Sequence, residues 1–164
     1  MNNYSAKLKV LAEEFHLSMA YRATNYDEIR VTVDEVSRPG LPLVGYFEHF
    51  EPSRLQVLGY VEMSYLDGMD HDQREEFFDR LFSRGIPALV ISRGQQPHAE
   101  CIAMARKHDI TILLGEESTS YLISGLISSL KNALAPRTTL HGVLVEVYGE
   151  GWWATVHGVT KSQT

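Results

Sequence analysis

The chain has 164 residues, 44% of them hydrophobic and 22% charged, enough apolar mass for one substantial core and the beginning of a second domain. Its formal net charge of −6 argues against a nucleic-acid or anionic-membrane surface, either of which requires clustered Lys and Arg. The single cysteine, Cys101, excludes an internal disulfide and fits a reducing cytoplasm, and no apolar run has the length of a membrane span or the form of a signal peptide.

In chain order, residues 5–15 read as a short amphipathic helix with Leu8, Leu11, Ala12 and Phe15 on one face. Ile29, Val31 and Val33 alternate with Arg30 and Thr32 and predict a strand. Ser37-Arg38-Pro39-Gly40 breaks the chain, and an apolar segment over 41–50 follows, whose Tyr46, Phe47 and Phe50 are expected in the core. Residues 55–61 predict a second strand. Residues 70–82 predict a helix capped by Asp70, with Phe77, Phe78 and Leu81 inward.

The run PALVIS (87–92) has the composition of a strand buried on both faces of a parallel sheet. Pro97 opens a helix carrying Cys101, Ile102 and Ala105 inward, and ITILL (110–114) is another buried strand. The last long helix, over 118–134, places Tyr121, Leu122, Leu126, Ile127 and Leu130 at helical spacing, with Glu116-Glu117 at its start. Beyond the Pro136 break, residues 140–148 alternate as a strand into Gly149-Glu150-Gly151. Strands and helices in alternation, with short connections, define an α/β fold built on a largely parallel sheet flanked by helices.

Several residues carry potential chemistry. Arg38 and Arg93 fall at strand ends, where open parallel sheets bind ligands, and together would contact a phosphate or an acidic partner group. The alternative is that Pro39-Gly40 makes a turn and Arg38 pairs with a local carboxylate. Lys161-Ser162 is a weak trace of a phosphate loop, since Thr155 and Thr160 stand where glycines would let the backbone approach the phosphates. His141 has an imidazole able to pair with phosphate or relay a proton, or else it is a strand histidine satisfied by a neighbouring carbonyl. Asp70-His71-Asp72 points in different directions on a helix, and the other histidines show no metal-ligand spacing, so no metal site is expected. Cys101 lies on an apolar face and reads as structural.

Three motifs carry a family resemblance: Val36-Ser37-Arg38-Pro39-Gly40-Leu41 with Gly45-Tyr46-Phe47, then Arg54–Gly59 with Ile91-Ser92-Arg93-Gly94, and finally APRTTLHGVLVEVYGEG (135–151). From about residue 29 to 151 the chain resembles bacterial HPr kinase/phosphorylase, which phosphorylates and dephosphorylates a serine of the phosphocarrier HPr. The resemblance implies an N-terminal domain over 1–134, similar in fold to the first domain of some Mur ligases, and the first strands of the kinase domain over 135–151. In the family that strand runs on into a GxxxxGKS loop. Residues 152–164, with Trp152-Trp153, are expected to be an atypical tail outside the fold, leaving the chain alone without catalysis.

By the same resemblance His141 is an active-site residue, and the parent enzyme uses ATP and Mg²⁺, acts on HPr in carbon catabolite repression, and assembles as a hexamer in the cytoplasm. No cofactor is expected for this chain alone, and neither nucleic acid nor membrane is an expected partner. The alternative function is a non-catalytic regulatory module that binds a small anionic metabolite or a protein partner.

Overall fold

The computed structural model describes residues 4–136, together with the backbone of 145–146 and 153–154. The chain divides into two compact units, one ending at Leu134 and one spanning Ala135–Thr164. In the second, β8 (Val145–Glu146) pairs antiparallel with β9 (Trp153–Ala154).

The first unit is organised on a five-stranded sheet. Four strands are parallel and adjacent in sequence order: β4 (Val36–Ser37), β5 (Leu55–Leu58), β6 (Leu89–Ile91) and β7 (Ile112–Leu114). A fifth, β2 (Ser18–Tyr21), closes the far edge antiparallel to β7, with a register shift between Met19 and Tyr21. A separate two-residue ladder joins β1 (Ala6–Lys7) to β3 (Arg30–Val31). This is the largely parallel α/β sheet that the alternating elements imply.

Both faces are covered, which is why the central strands are apolar throughout. On one face Leu58, Leu89, Ile91 and Ile112 pack under α2 (Gly40–Leu43), α3 (Tyr60–Asp67), α4 (His71–Phe82) and α5 (Ala99–His108). On the other, Leu55, Val57, Val90 and Leu113 pack under α1 (Leu8–Glu14) and α6 (Thr119–Leu134). The connections from β4 through β7 thus share one face, and only the chain after β7 crosses to the other.

Several boundaries differ from the sequence reading. The first helix begins at Leu8, because Ala6–Lys7 is drawn into the β1–β3 ladder, and the strand over 29–33 narrows to Arg30–Val31. The strand over 55–61 ends at Leu58, and α3 starts at Tyr60. Tyr46 and Tyr121 are exposed, whereas Phe47 is buried beneath the guanidinium groups of Arg80 and Arg84. The edge strand β2 has no counterpart in the sequence reading. It is held by Asp109, in the left-handed conformation at the end of α5, whose carboxylate accepts from the Thr24 backbone N–H and hydroxyl and from Tyr21 Oη.

Candidate functional site

The carboxyl ends of the parallel strands bring five polar groups together. Arg38, just after β4, donates from Nε and Nη2 to the two carboxylate oxygens of Glu62, at 3.1 and 3.0 Å. Glu62 is buried in the first turn of α3, and its Oε1 also accepts from the Gly59 N–H at 2.6 Å. A glycine at this helix start has no side chain to cap with, and the carboxylate three residues on satisfies its buried backbone donor.

Gly59 is required by proximity. A Cβ there would lie 2.6 Å from both Arg38 Nη2 and Thr119 Oγ1. Thr119 opens α6, and its Oγ1 lies 2.5 Å from Ser92 Oγ, which is also 3.3 Å from the Leu58 carbonyl. With Ser92 donating to that carbonyl, Thr119 donates to Ser92. The ends of β5 and β6, the loop after β4 and the starts of α3 and α6 are thereby brought together by hydrogen-bonded groups that are buried except for Arg38, whose side chain is 39% exposed.

Arg93 follows at the end of β6. Arg93 and Gly94 both adopt positive φ, at 61° and 64°. Consecutive left-handed residues often turn their N–H groups toward an anion. Here the Arg93 N–H donates to the Glu117 carbonyl and the Gly94 N–H to the Gly115 carbonyl, so the backbone donors are spent within the fold. The Glu116 carboxylate lies against Gly94, where a Cβ would come within 2.8 Å. What the Arg93 loop offers outward is its exposed side chain.

Arg38 and Arg93 therefore lie at the same carboxyl end of the sheet, just after β4 and β6 with β5 between them, and Arg38 has its planar fork committed to Glu62. Because β4 through β7 succeed one another without reversal, there is no crevice of the kind formed where strand order switches. His141, Lys161 and Ser162 lie outside the described residues.

A second polar cluster fastens α4 to α5. Buried Glu100 accepts from Arg74 Nε at 3.1 Å and lies 2.7 Å from His71 Nδ1, while Arg74 Nη1 donates to the Leu66 and Met69 carbonyls. Burial works to raise the Glu100 carboxyl, but hydrogen bonds from Arg74 and His71 overcome it and lower it to about 2. The same contact with Glu100 raises His71. Cys101, next in sequence, is fully buried, and burial pushes its thiol far above the ordinary range. Among the described residues no group of His, Cys, Asp and Glu has the arrangement of a metal site, and no helix is long and apolar enough to cross a membrane.

Two open depressions flank this architecture. A groove of about 870 Å³ runs between α2, α3 and α4, past Val44, Val61, Tyr65 and Phe77. A cleft of about 490 Å³ lies beside β4 under the segment 40–50 and includes Arg38, Arg54 and Gln56.

Sequence reasoning singled out Arg38 but not its partners. Glu62 sits on a helix whose first two residues, Tyr60 and Val61, read in sequence as the end of a strand and whose remainder is unassigned there, and Ser92 and Thr119 are 27 residues apart, joined only by the crossover geometry. The one available signal was Glu62 three residues after Gly59, the spacing of a helix start.

An open, mostly parallel sheet with helices on both faces, its strand ends locked by an internal ion pair, defines an α/β domain. The chain belongs to the family described as HPr Serine kinase N terminus, whose model matches residues 6–130. It is 38% identical to the HPr kinase/phosphorylase of Clostridium perfringens (strain SM101) over 158 residues, 96% of this chain and 51% of that protein. The corresponding proteins of Caldicellulosiruptor bescii and Alkaliphilus metalliredigens are 36% and 41% identical, over 94% and 82% of this chain and 50% and 44% of theirs. The chain spans about half the length of these curated relatives. Among solved structures, the CBS and DRTGG domains of the regulatory region of Clostridium perfringens pyrophosphatase, complexed with the activator diadenosine tetraphosphate, share the fold. The TM-score is 0.57 at 14% identity, covering 86% of this chain and 54% of that one.

Proposed function

We propose that the chain is the N-terminal part of a cytoplasmic HPr kinase/phosphorylase whose whole form transfers phosphate between ATP and a serine of HPr, with Mg²⁺, in carbon catabolite repression. The observation that carries this reading is the family match across residues 6–130, joined to 38% identity over 96% of the chain. His141 is proposed as the residue this chain contributes to the reaction. Its imidazole is suited to hold or relay a proton beside a phosphate. Lys161 and Ser162 are proposed as contacts of a degenerate phosphate loop, with the Thr155 and Thr160 side chains limiting backbone approach. A hexamer assembled mainly through the catalytic half completes the proposal.

On this reading the 164-residue chain forms no phosphoserine on HPr with ATP and Mg²⁺, whereas a protein of the relatives' full length does. The measurement is phosphate incorporation into HPr. Turnover by the 164-residue chain would sink the inactive-fragment reading, and none by the long form would sink the kinase assignment.

A second reading treats the first unit as a regulatory module that takes an anionic metabolite at the carboxyl end of the sheet, beside Arg38 and Arg93. In its favour, a protein with this fold is a regulatory region solved with a polyphosphate activator. Calorimetry against nucleotides and phosphorylated sugars tests it, with Arg93→Ala as the control because Arg38→Ala would leave buried Glu62 without its partner. Saturable heat that disappears in Arg93→Ala supports a sensor, and no heat with any of these ligands overturns it.

A further inference from the structure

The groove between α2, α3 and α4 presents apolar walls to solvent. Part of its lining is closed to water, with Leu43, Phe47 and Phe77 buried. The rest is open: Val44, Val61 and Tyr65 are 61%, 68% and 50% exposed. The apolar surface continues past the groove, because Leu41 and Tyr60, each next in sequence to a lining residue, are exposed as well. Large apolar side chains gathered along two neighbouring helices, rather than scattered singly, mark a surface that a partner covers.

The charges beside this surface define the partner. Arg22, Arg38, Arg54 and Arg74 are each bonded to a carboxylate. Arg80 and Arg84 are not. Arg80 lines the groove and its guanidinium stacks on the Phe47 ring at 4.5 Å, and Arg84, just after α4, stacks on the same ring at 4.3 Å. Among the described residues neither guanidinium has a carboxylate or a hydrogen-bond acceptor. Stacking therefore holds two cations in place while leaving their planar N–H donors for an acceptor from outside. Glu76, one turn before Arg80 and in the same wall, is exposed and also unpaired among the described residues, so the local excess is one positive charge.

The lining contains no strand residue. An extended peptide would find no edge to pair with there and would set its backbone N–H and C=O groups against apolar side chains. A helix satisfies its own backbone and presents side chains alone. We propose that this groove docks an amphipathic helical segment of a partner protein, whose apolar side chains cover Val44, Val61 and Tyr65 and whose carboxylates accept from Arg80 and Arg84. The surface needs no catalytic residue, and it stands whether or not the intact protein is a kinase.

The test is a titration of the ¹⁵N-labelled 164-residue chain with a capped helical peptide of about 16 residues, carrying leucines at i, i+4 and i+7 flanked by glutamates. A control peptide has lysine at every glutamate. The expected result is saturable movement of backbone signals over 41–47, 60–69 and 73–84 with the glutamate peptide, weakened by added salt, and binding of the lysine peptide about 10-fold weaker or less. Val61→Glu and Arg84→Glu, both at exposed positions, each weaken the glutamate peptide about 10-fold or more, and the wild-type comparison of the two peptides decides the matter even if a variant folds poorly. The proposal is overturned if the glutamate peptide gives no saturable shifts up to about 1 mM, if both peptides bind equally, or if a folded Val61→Glu binds as tightly as the wild type. Sedimentation of the chain alone as a dimer that Val61→Glu abolishes would assign the groove to a second copy and overturn it as well.

Discussion

Glu100 is the residue whose ionisation the fold depends on most visibly. Its carboxyl is nearly removed from water, yet it stays ionised because Arg74 and His71 both contact it, and Arg74 in turn binds two carbonyls at the end of α3 and the turn after it. The folded value of about 2 lies below the ordinary 4.5, so this group contributes stability that is fully present above pH 4.5 and lost as pH falls toward 2. His71 works in the opposite sense. Its raised value makes its contribution complete below its ordinary 6.5 and lost as pH climbs through the folded value. Chemical denaturation across pH is expected to show stability falling below about pH 4.5, with the acid limb flattened in Glu100→Gln. At neutral pH, Arg74→Ala is expected to cost about 3 kcal/mol, because it leaves a buried carboxylate with His71 as its remaining side-chain partner. A loss below 1 kcal/mol would show that water reaches Glu100.

At the scale of elements, α4 shows what sequence can specify. Asp70 accepts from the Gln73 N–H at 2.8 Å while the Gln73 side chain accepts from the Asp70 N–H at 3.0 Å, and Phe77, Phe78, Leu81 and Phe82 follow on the buried face. Asp70→Ala is expected to lower stability by about 1 kcal/mol, read as a shift in denaturation midpoint with an unchanged slope. The helix α3 shows the converse. Its buried face carries Glu62 beside Met63 and Leu66, while Tyr60, Val61 and Tyr65 are 66%, 68% and 50% exposed. With a charge inside and aromatics outside, the helical period is obscured, and the apolar run from Leu55 reads on as strand as far as Val61, into the first turn of the helix. The edge strand β2 was illegible for a different reason. Its four residues are exposed or half-buried, and they pair only with β7, almost a hundred positions away. The candidate site inherits both difficulties. Arg38 stands out through its motif, but the partner that occupies it lies on the unread helix.

For the first unit as a whole, the decisive feature is that β4, β5, β6 and β7 are laid down side by side in sequence order. Each crossover returns on the same face, so α2 to α5 build one core and α6 crosses over to complete the other against α1. Among the described residues, both core clusters are built between Ala6 and Leu134, and Leu134 itself is buried in the second. A single domain of about 130 residues with two such faces is large enough to fold alone. A chain ended after Pro136 is therefore expected to unfold cooperatively, with a urea midpoint close to that of the 164-residue chain and a slope reduced only in proportion to the surface removed. Ending the chain after Leu126 instead removes Leu130 and Leu134 from the core they share with Leu55, Val57 and Val90, so that form is expected to lose its cooperative transition. A large drop in midpoint for the chain ended after Pro136 would mean that the sheet draws stability from the residues beyond it, and the two-unit division would have to be abandoned.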